Sequence, residues 1–207
     1  MIARSLAAAS RLICGPTIRW HCDPRPVHQR IYFGNHSSHL DFILIWSAFP
    51  ADLRRSLRPV AGKDYWETGP VRRYLAAQVF HAVLIARAGT GSSDGAAVAR
   101  ASIERMVDEL GERNSLIVFP EGTRGLSGEV GTFKSGLYHL CRLRPDVELI
   151  PVYLENLNRI LPKGEVLPVP MLSRIVFGPP LVVKAREEKT AFLARARDAL
   201  VQLKGVP

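Results

Sequence analysis

The polar segment 35–41 contains a histidine and an aspartate that could act as a base and its orienting partner, His36 and Asp41. In an ideal helix a separation of five residues places two side chains about 140° apart, so these two meet only if a loop turns between them. In that geometry the carboxylate would accept the N–H of one imidazole nitrogen and leave the other nitrogen free to take a proton from a hydroxyl. Such a pair can activate an alcohol for attack on a thioester without an acyl-enzyme intermediate.

Two other interpretations of this segment remain open. Asn35, Ser37 and Ser38 could cap the apolar helix that follows, with the histidines only filling space. His39 could also be the base instead of His36.

The second candidate segment, residues 119–124, directly follows a run of β-forming residues. Gly122 permits a tight turn, Thr123 and nearby backbone N–H groups can bind phosphate oxygens, and Arg124 offers a bidentate fork for a phosphate. Glu121 cannot bind an anion, but it could hold Arg124 in place or accept a substrate hydroxyl. The segment could instead be a plain strand-to-turn junction with a surface ion pair.

Alternating strand and helix patterns must position these two segments. We expect strands at 31–34, 57–61, 79–86, 115–119, 147–153 and 175–183, and helices at 41–49, 71–77, 94–110, 134–143 and 192–203. This order predicts one α/β domain with a mostly parallel central sheet flanked by helices. Ligands of such sheets bind at the carboxyl ends of the strands, where Lys63 and Arg87 should join the two segments.

The excess of 28 Lys and Arg over 19 Asp and Glu gives a formal charge of +9, so anionic partners are expected. The chain has no helix-turn-helix signature, zinc-ligand spacing or base-stacking strand, which argues against nucleic acid. It also has no metal-ligand cluster or phosphate-loop motif, so we expect no metal and no nucleotide cofactor. Three cysteines at unrelated spacings suit reduced thiols in a cytoplasmic protein.

The N-terminal residues 1–15 are apolar, but Arg11 interrupts them and the alanines come too early for signal-peptide cleavage. Ile2, Leu6 and Ile13 share one helical face, which is typical of a helix lying in a membrane interface. Packing of this helix on its own domain is the alternative. The sequence has no window of about 18 uninterrupted apolar residues, so we expect no helix that spans a membrane. We therefore expect an amphipathic segment, residues 1–30, ahead of a domain comprising residues 31–207.

Together these segments resemble the glycerolphosphate and lysophosphatidate acyltransferase family. Its Asn-His-x-x-x-x-Asp motif is residues 35–41, its Phe-Pro-Glu-Gly-Thr-Arg motif is residues 119–124, and its Pro-Val-Tyr-like strand is residues 150–153. A lysine-glycine element appears at 133–136, and the family's lysine after the first helix matches Lys63. The similarity runs from about residue 31 to residue 183.

The resemblance implies roles for individual residues. His36 and Asp41 would be the catalytic dyad, while Glu121, Gly122 and Arg124 would engage a glycerol phosphate head. Lys63, Arg87 and Thr123 complete the expected substrate-binding set.

The second motif of the family, Gly-x-x-Phe-Ile-x-Arg, is only partly present. Residues 81–87 retain Ile85 and Arg87, and His81 replaces the glycine. We expect His81 to lie in the core, with a narrowed acceptor pocket as the alternative.

By this resemblance the chain would transfer a fatty acyl group from acyl-CoA or acyl-carrier protein, as co-substrate, to the free hydroxyl of a lysophospholipid. The expected reaction converts 1-acyl-glycerol 3-phosphate to phosphatidate in phospholipid biosynthesis. Lyso-ornithine lipid or lysophosphatidylcholine as acceptor, or a non-catalytic lipid-binding module, are the alternatives. The expected location is the cytoplasmic face of a membrane, with peripheral or monotopic attachment to its anionic surface.

Overall fold

The structure, a computed structural model, describes residues 1–86, 95–125, 128–162, 164–165, 167–184 and 186–206. Its strands are β1 (Pro16–Trp20), β2 (Arg30–Gly34), β3 (Leu57–Gly62), β4 (Val83–Ile85), β5 (Ser115–Val118), β6 (Glu148–Glu155) and β7 (Ser173–Phe177). Its α-helices are α1 (Ile2–Cys14), α2 (Asp41–Ala48), α3 (Lys63–Trp66), α4 (Pro70–Tyr74), α5 (Gly95–Leu110), α6 (Gly136–Leu143), α7 (Leu157–Ile160) and α8 (Lys189–Gln202).

The strands form one seven-stranded sheet in the order β1-β7-β6-β2-β5-β3-β4. The five strands from β6 to β4 run parallel to one another. β7 pairs antiparallel with β6, and β1 pairs parallel with β7. The carboxyl ends of β2 and β5 are therefore neighbours at the centre of the sheet, which brings the two candidate segments together. The predicted mostly parallel α/β fold is confirmed.

Helices cover both faces of the sheet. β2 is a continuous apolar run whose residues alternate between the two faces, with Tyr32 on one and Ile31 and Phe33 on the other. The Tyr32 face packs against apolar side chains of α1 and α2. The opposite face packs against α5, α6 and α8. A central strand buried on both faces is a rigid support for the loop that leaves its end.

The strand predicted at 79–86 is shorter than expected. Residues Leu75–Val79 form one wide helical turn, with Phe80 N donating to the Leu75 carbonyl at 2.9 Å, and the strand begins only at Val83. The exposed His81 has a φ of 48°, which extended backbone does not accommodate. The expectation that His81 lies in the core is wrong. Its left-handed backbone explains why glycine suits this position in the family pattern.

The N-terminal residues belong to the domain, so the expected boundary at residue 30 needs correction. β1 extends the sheet alongside β7, and α1 buries Ala7, Ser10 and Cys14 against the rest of the fold. Arg11 also donates a hydrogen bond to the Ser47 carbonyl of α2. The helix therefore packs on its own domain, and contact of its outer face with a membrane stays a prediction.

The last predicted strand, 175–183, ends early. β7 stops at Phe177, because Gly178 is followed by two prolines that cannot donate to a ladder. Leu181 then makes a single antiparallel bridge to Leu149. Within the described ranges, no helix is long and apolar enough to cross a membrane.

Candidate active site

The loop after β2 is fastened to the neighbouring strand. Asn35 donates from Nδ2 to the Leu154 carbonyl and accepts from the Leu154 N–H at Oδ1, each at 2.8 Å. Ser38 donates from its hydroxyl to the Leu161 carbonyl at 2.9 Å. These buried side chains hold the loop on β6 and on the segment after α7. They do not act as simple helix caps.

The turn of this loop brings His36 to Asp41, the first residue of α2. His36 Nδ1 lies 2.8 Å from Asp41 Oδ2, which also accepts the N–H groups of Ser37 at 2.6 Å and Ser38 at 2.9 Å. Oδ2 accepts the two backbone N–H groups, so we assign Nδ1 of His36 as the donor in its contact with the same oxygen. Nε2 of His36 is then left with its lone pair, as a general base requires.

A second contact fixes the plane of the imidazole. The ring of His36 stacks on Phe119, with the centroids 4.3 Å apart and the planes 18° from parallel. The side chain keeps 17% of its surface exposed, whereas that of Asp41 is fully buried. The dyad therefore has one accessible end, the imidazole.

His39 is held elsewhere. Its ring stacks on Tyr65 at 4.3 Å, and the guanidinium of Arg72 lies 4.1 Å from the centre of the same tyrosine ring. The structure thus joins His36 to Asp41, which favours His36 over His39 as the base.

Helix α1 lies behind the dyad. Burial and the nearby charge of Asp41 raise the pKa of the Cys14 thiol to about 11. Cys14 therefore stays a protonated thiol at the carboxyl end of α1, near the buried carboxylate of Asp41.

The turn after β5 wraps around the histidine loop. Gly122 has a φ of 72° and donates its N–H to the Phe119 carbonyl at 3.0 Å, while Gly125 N donates to the His36 carbonyl at 2.8 Å. Glycine is required at 122 because L side chains rarely adopt that backbone conformation. The two sequence motifs form one structural unit.

Glu121 has a role that the sequence did not indicate. Its Oε1 accepts the N–H of His36 at 2.8 Å and its Oε2 accepts the N–H of Gly131 at 3.0 Å. Burial raises the pKa of this carboxyl, although these backbone hydrogen bonds oppose the shift. The described contacts of Glu121 connect two loops and do not include Arg124. Glu121 is thus a positioning residue for the backbone of His36.

The remaining predicted binding residues differ in burial and in position relative to this unit. Arg124 is half-buried, and its buried Nη1 has no partner among the described residues. Lys63 opens α3 directly after β3, at the same sheet edge, and Thr123 is exposed on the turn. Arg87 lies outside the described residues. Phe119, the first residue of the segment 119–124, aligns the imidazole, a role that was not predicted because an apolar side chain shows no chemistry of its own.

A family model described as Acyltransferase matches residues 18–155, which is more than half of the chain and includes both motif loops. The chain belongs to the acyltransferase family. The resemblance seen in the sequence is confirmed, and the His36–Asp41 contact lies where the histidine-aspartate motif of that family resemblance falls.

This chain is also similar to individual acyltransferases. Two enzymes named 1-acyl-sn-glycerol-3-phosphate acyltransferase, from Limnanthes douglasii and Limnanthes alba, are each 30% identical over 158 residues, covering 73% of this chain and 50% of theirs. The chain thus spans about half the length of these curated relatives. The crystal structure of the 1-acyl-sn-glycerophosphate (LPA) acyltransferase PlsC from Thermotoga maritima superimposes with a TM-score of 0.69 at 21% identity, covering 100% of this chain and 81% of that one. That likeness shows the fold.

Proposed function

We propose that this acyltransferase-family chain moves a fatty acyl group from a thioester donor, acyl-CoA or acyl-carrier protein, to the free hydroxyl of a lysophospholipid. The single observation that carries the proposal is the His36–Asp41 pair, joined at 2.8 Å and exposed only at the imidazole. The acceptor we favour is 1-acyl-glycerol 3-phosphate, with phosphatidate as the product. The names of the Limnanthes relatives support this choice.

The proposed step needs no covalent enzyme intermediate. Nε2 of His36 takes the proton of the acceptor hydroxyl as its oxygen attacks the thioester carbonyl carbon. The new C–O bond forms, the C–S bond breaks, and the departing thiolate takes the proton back from the imidazolium. Asp41, whose Oδ2 lies at the meeting point of three hydrogen bonds, stabilises the imidazolium formed between these events.

A panel of acceptors tests the proposal. The purified protein would be incubated with labelled acyl-CoA or acyl-carrier protein and with lysophosphatidate, lysophosphatidylcholine, lyso-ornithine lipid or glycerol 3-phosphate. We expect the largest kcat/KM with lysophosphatidate. Label in a different product would reassign the acceptor, and no product from any pair would contradict the proposed activity.

Replacing Arg124 by alanine should separate phosphate recognition from chemistry. A charge-assisted contact of about 1.5–3 kcal/mol predicts a loss of roughly ten- to two-hundred-fold in kcat/KM for lysophosphatidate. Arg124→Lys should recover only part, because an ammonium lacks the planar fork. Acylation of monoacylglycerol, which has no phosphate, should change much less. An equal loss on both acceptors would leave Arg124 with a structural role.

We further propose that the protein works on the anionic surface of a membrane, attached peripherally on the cytoplasmic side. Leu12 of α1 is 85% exposed and Leu172 is 75% exposed. The two segments adjoin, because Met171 N donates to the Ile13 carbonyl at 3.3 Å. The segment before Met171 leads back to Leu161, which contacts the catalytic loop through Ser38. We call these two exposed leucines the apolar edge.

Arginines flank the apolar edge on the side of α2. Burial lowers the pKa of Arg54, and the nearby charges of Arg11 and Arg4 on α1 lower it further. Adjacent apolar and basic groups are what binding to an anionic bilayer uses.

Charge replacement on the apolar edge should weaken membrane binding. We expect the wild-type protein to sediment with anionic vesicles less as salt rises, and Leu12→Asp with Leu172→Asp to sediment less at every salt concentration. Point substitutions are preferred to deleting α1, because α1 packs on α2. Leu143→Asp is the matched control, since that leucine is 58% exposed on α6, across the sheet. Equal losses in the variant and the control would exclude the apolar edge as the contact surface.

A further inference from the structure

One side chain of α8 holds the backbone of the loop 128–133, which follows the turn after β5. Arg197, which is half-buried, donates from Nη2 to the Val130 carbonyl at 2.7 Å. Its Nε donates to the carbonyls of Val130 at 3.2 Å and Gly131 at 3.1 Å. A charged donor makes stronger hydrogen bonds than a neutral one. The guanidinium therefore fixes the loop at residues 130 and 131.

Helix α8 is a rigid support for this side chain. Phe192, Ala196 and Leu200 lie on successive turns of one helix face and are fully buried. Val130 and Phe133 of the loop are buried in the same apolar cluster. Because side chains in such a cluster are closely packed, neither the helix nor the loop can shift without disturbing the other.

The other end of the same loop backbone reaches the candidate active site. The N–H of Gly131 donates to Glu121 Oε2 at 3.0 Å, and Glu121 Oε1 accepts the N–H of His36 at 2.8 Å. A continuous series of hydrogen bonds thus runs from Arg197 through Gly131 and Glu121 to His36.

The contact between the loop and Glu121 leaves no room for a side chain at Gly131. A Cβ added there would lie 2.7 Å from Glu121 Oε2 and 3.5 Å from its Cδ, which is closer than the carboxylate can tolerate without moving. Glu121 is buried, so its carboxylate has little space into which to move. Glycine at 131 therefore allows the close approach on which the hydrogen bond depends.

We infer that Arg197 is a positioning residue for the candidate catalytic histidine, acting through the loop backbone at 130–131 and the carboxylate of Glu121. Arg197 holds the loop, the loop holds Glu121, and Glu121 holds the backbone of His36. A displacement of about 1 Å at a reacting group can lower a rate by on the order of 10²-fold. The inference rests on the proposed function for the reaction that Arg197 would affect.

The decisive variant is Arg197→Met, which keeps an unbranched apolar chain and removes the donors. We expect kcat to fall about ten-fold while KM for the acceptor stays within about two-fold, because Arg197 acts on the base and not on the substrate. Arg197→Lys, which keeps a charged donor, should recover part of the loss. A higher KM with unchanged kcat, or no change in either, would overturn the inference.

Arg195→Met is the matched control on the same helix. Arg195 binds the carboxylate of Glu187 and the Val182 carbonyl, away from the loop 128–133. Its loss should lower the melting temperature and leave kcat near wild type. An equal loss of kcat in both variants would overturn the inference, since destabilising α8 would then be sufficient to explain it.

A double-mutant cycle tests the route through Glu121. Glu121→Gln replaces one of the two accepting oxygens by an N–H donor. If Arg197 acts through this carboxylate, Arg197→Met should lower kcat much less in the Glu121→Gln background than in wild type. Losses that simply multiply would refute this route.

Hydrogen exchange, measured by NMR, separates this inference from the proposed reaction because it needs no turnover. The His36 amide should exchange about ten-fold faster in Arg197→Met than in wild type or Arg195→Met, with the amide of Ile150 in β6 unchanged. If the wild-type protein transferred no acyl group, the proposed function would fail, whereas faster exchange at His36 would still support the positioning contact. Unchanged exchange at His36 would refute it.

Discussion

Replacing His36 by alanine should lower kcat by roughly 10²- to 10⁴-fold while leaving the fold and lipid binding near wild type. A general base contributes on this order, and His36 is the residue whose free imidazole nitrogen can receive the hydroxyl proton. The loss of stability should be small, because the ring is partly exposed and its main packing partner is one face of Phe119. Product formation, circular dichroism and the melting temperature check both parts.

His39→Ala is the matched control for this prediction. It removes the same chemical group three residues away, from a ring that stacks on Tyr65. We expect this variant to keep most of its activity. An inactive His39→Ala protein beside an active His36→Ala protein would reassign the base. Equal losses in both variants, with lowered melting temperatures, would indicate that the loop is mainly structural.

The meeting of the two motifs could be predicted from the sequence for a topological reason. Residues 31–34 and 115–119 are short apolar runs that a buried parallel strand requires, and each is followed by polar residues. Carboxyl ends of parallel strands share one edge of a sheet. The structure places β2 and β5 side by side. Strand type and direction thus limited where His36 and Glu121 could lie.

The edges of the sheet could not be predicted in the same way. β1 has alternating exposed and half-buried residues and a proline at its start, a weak signal beside the helix pattern before it. Its pairing with β7 depends on contacts between residues more than 150 positions apart, and the reversal of β7 against β6 joins residues 19 to 25 positions apart. The left-handed backbone of His81 is also a tertiary outcome, since histidine has no strong local preference for it.

The contacts that position the dyad could not be predicted from the sequence, for a different reason. Glu121 accepts hydrogen bonds from backbone N–H groups. Because almost every residue has such a group, no sequence pattern indicates which one Glu121 will contact. Its charge suggested Arg124, three residues on, as its partner. Residue types indicated the chemistry, but the supporting contacts required the fold.

Replacing Asp41 by asparagine should be nearly as damaging as removing the base, on the order of 10²- to 10⁴-fold in kcat. Three donors converge on Oδ2: His36 Nδ1 and the N–H groups of Ser37 and Ser38. An amide oxygen at that position can still accept from them, but it carries no charge to stabilise the imidazolium. The amide nitrogen would take the place of Oδ1, which is buried and has no partner among the described residues.

The melting temperature distinguishes loss of catalysis from loss of structure in Asp41→Asn. Asp41 is fully buried, so removing its charge also removes a desolvation cost, and the variant should fold with a melting temperature near that of wild type. Asp198→Asn, on the exposed face of α8, controls for removing one negative charge. Activity of Asp41→Asn within a few-fold of wild type would show that hydrogen-bond geometry alone orients His36. A folded, inactive variant would show that the carboxylate is needed beyond its shape, because asparagine has the same shape but no charge and has an N–H donor in place of one oxygen.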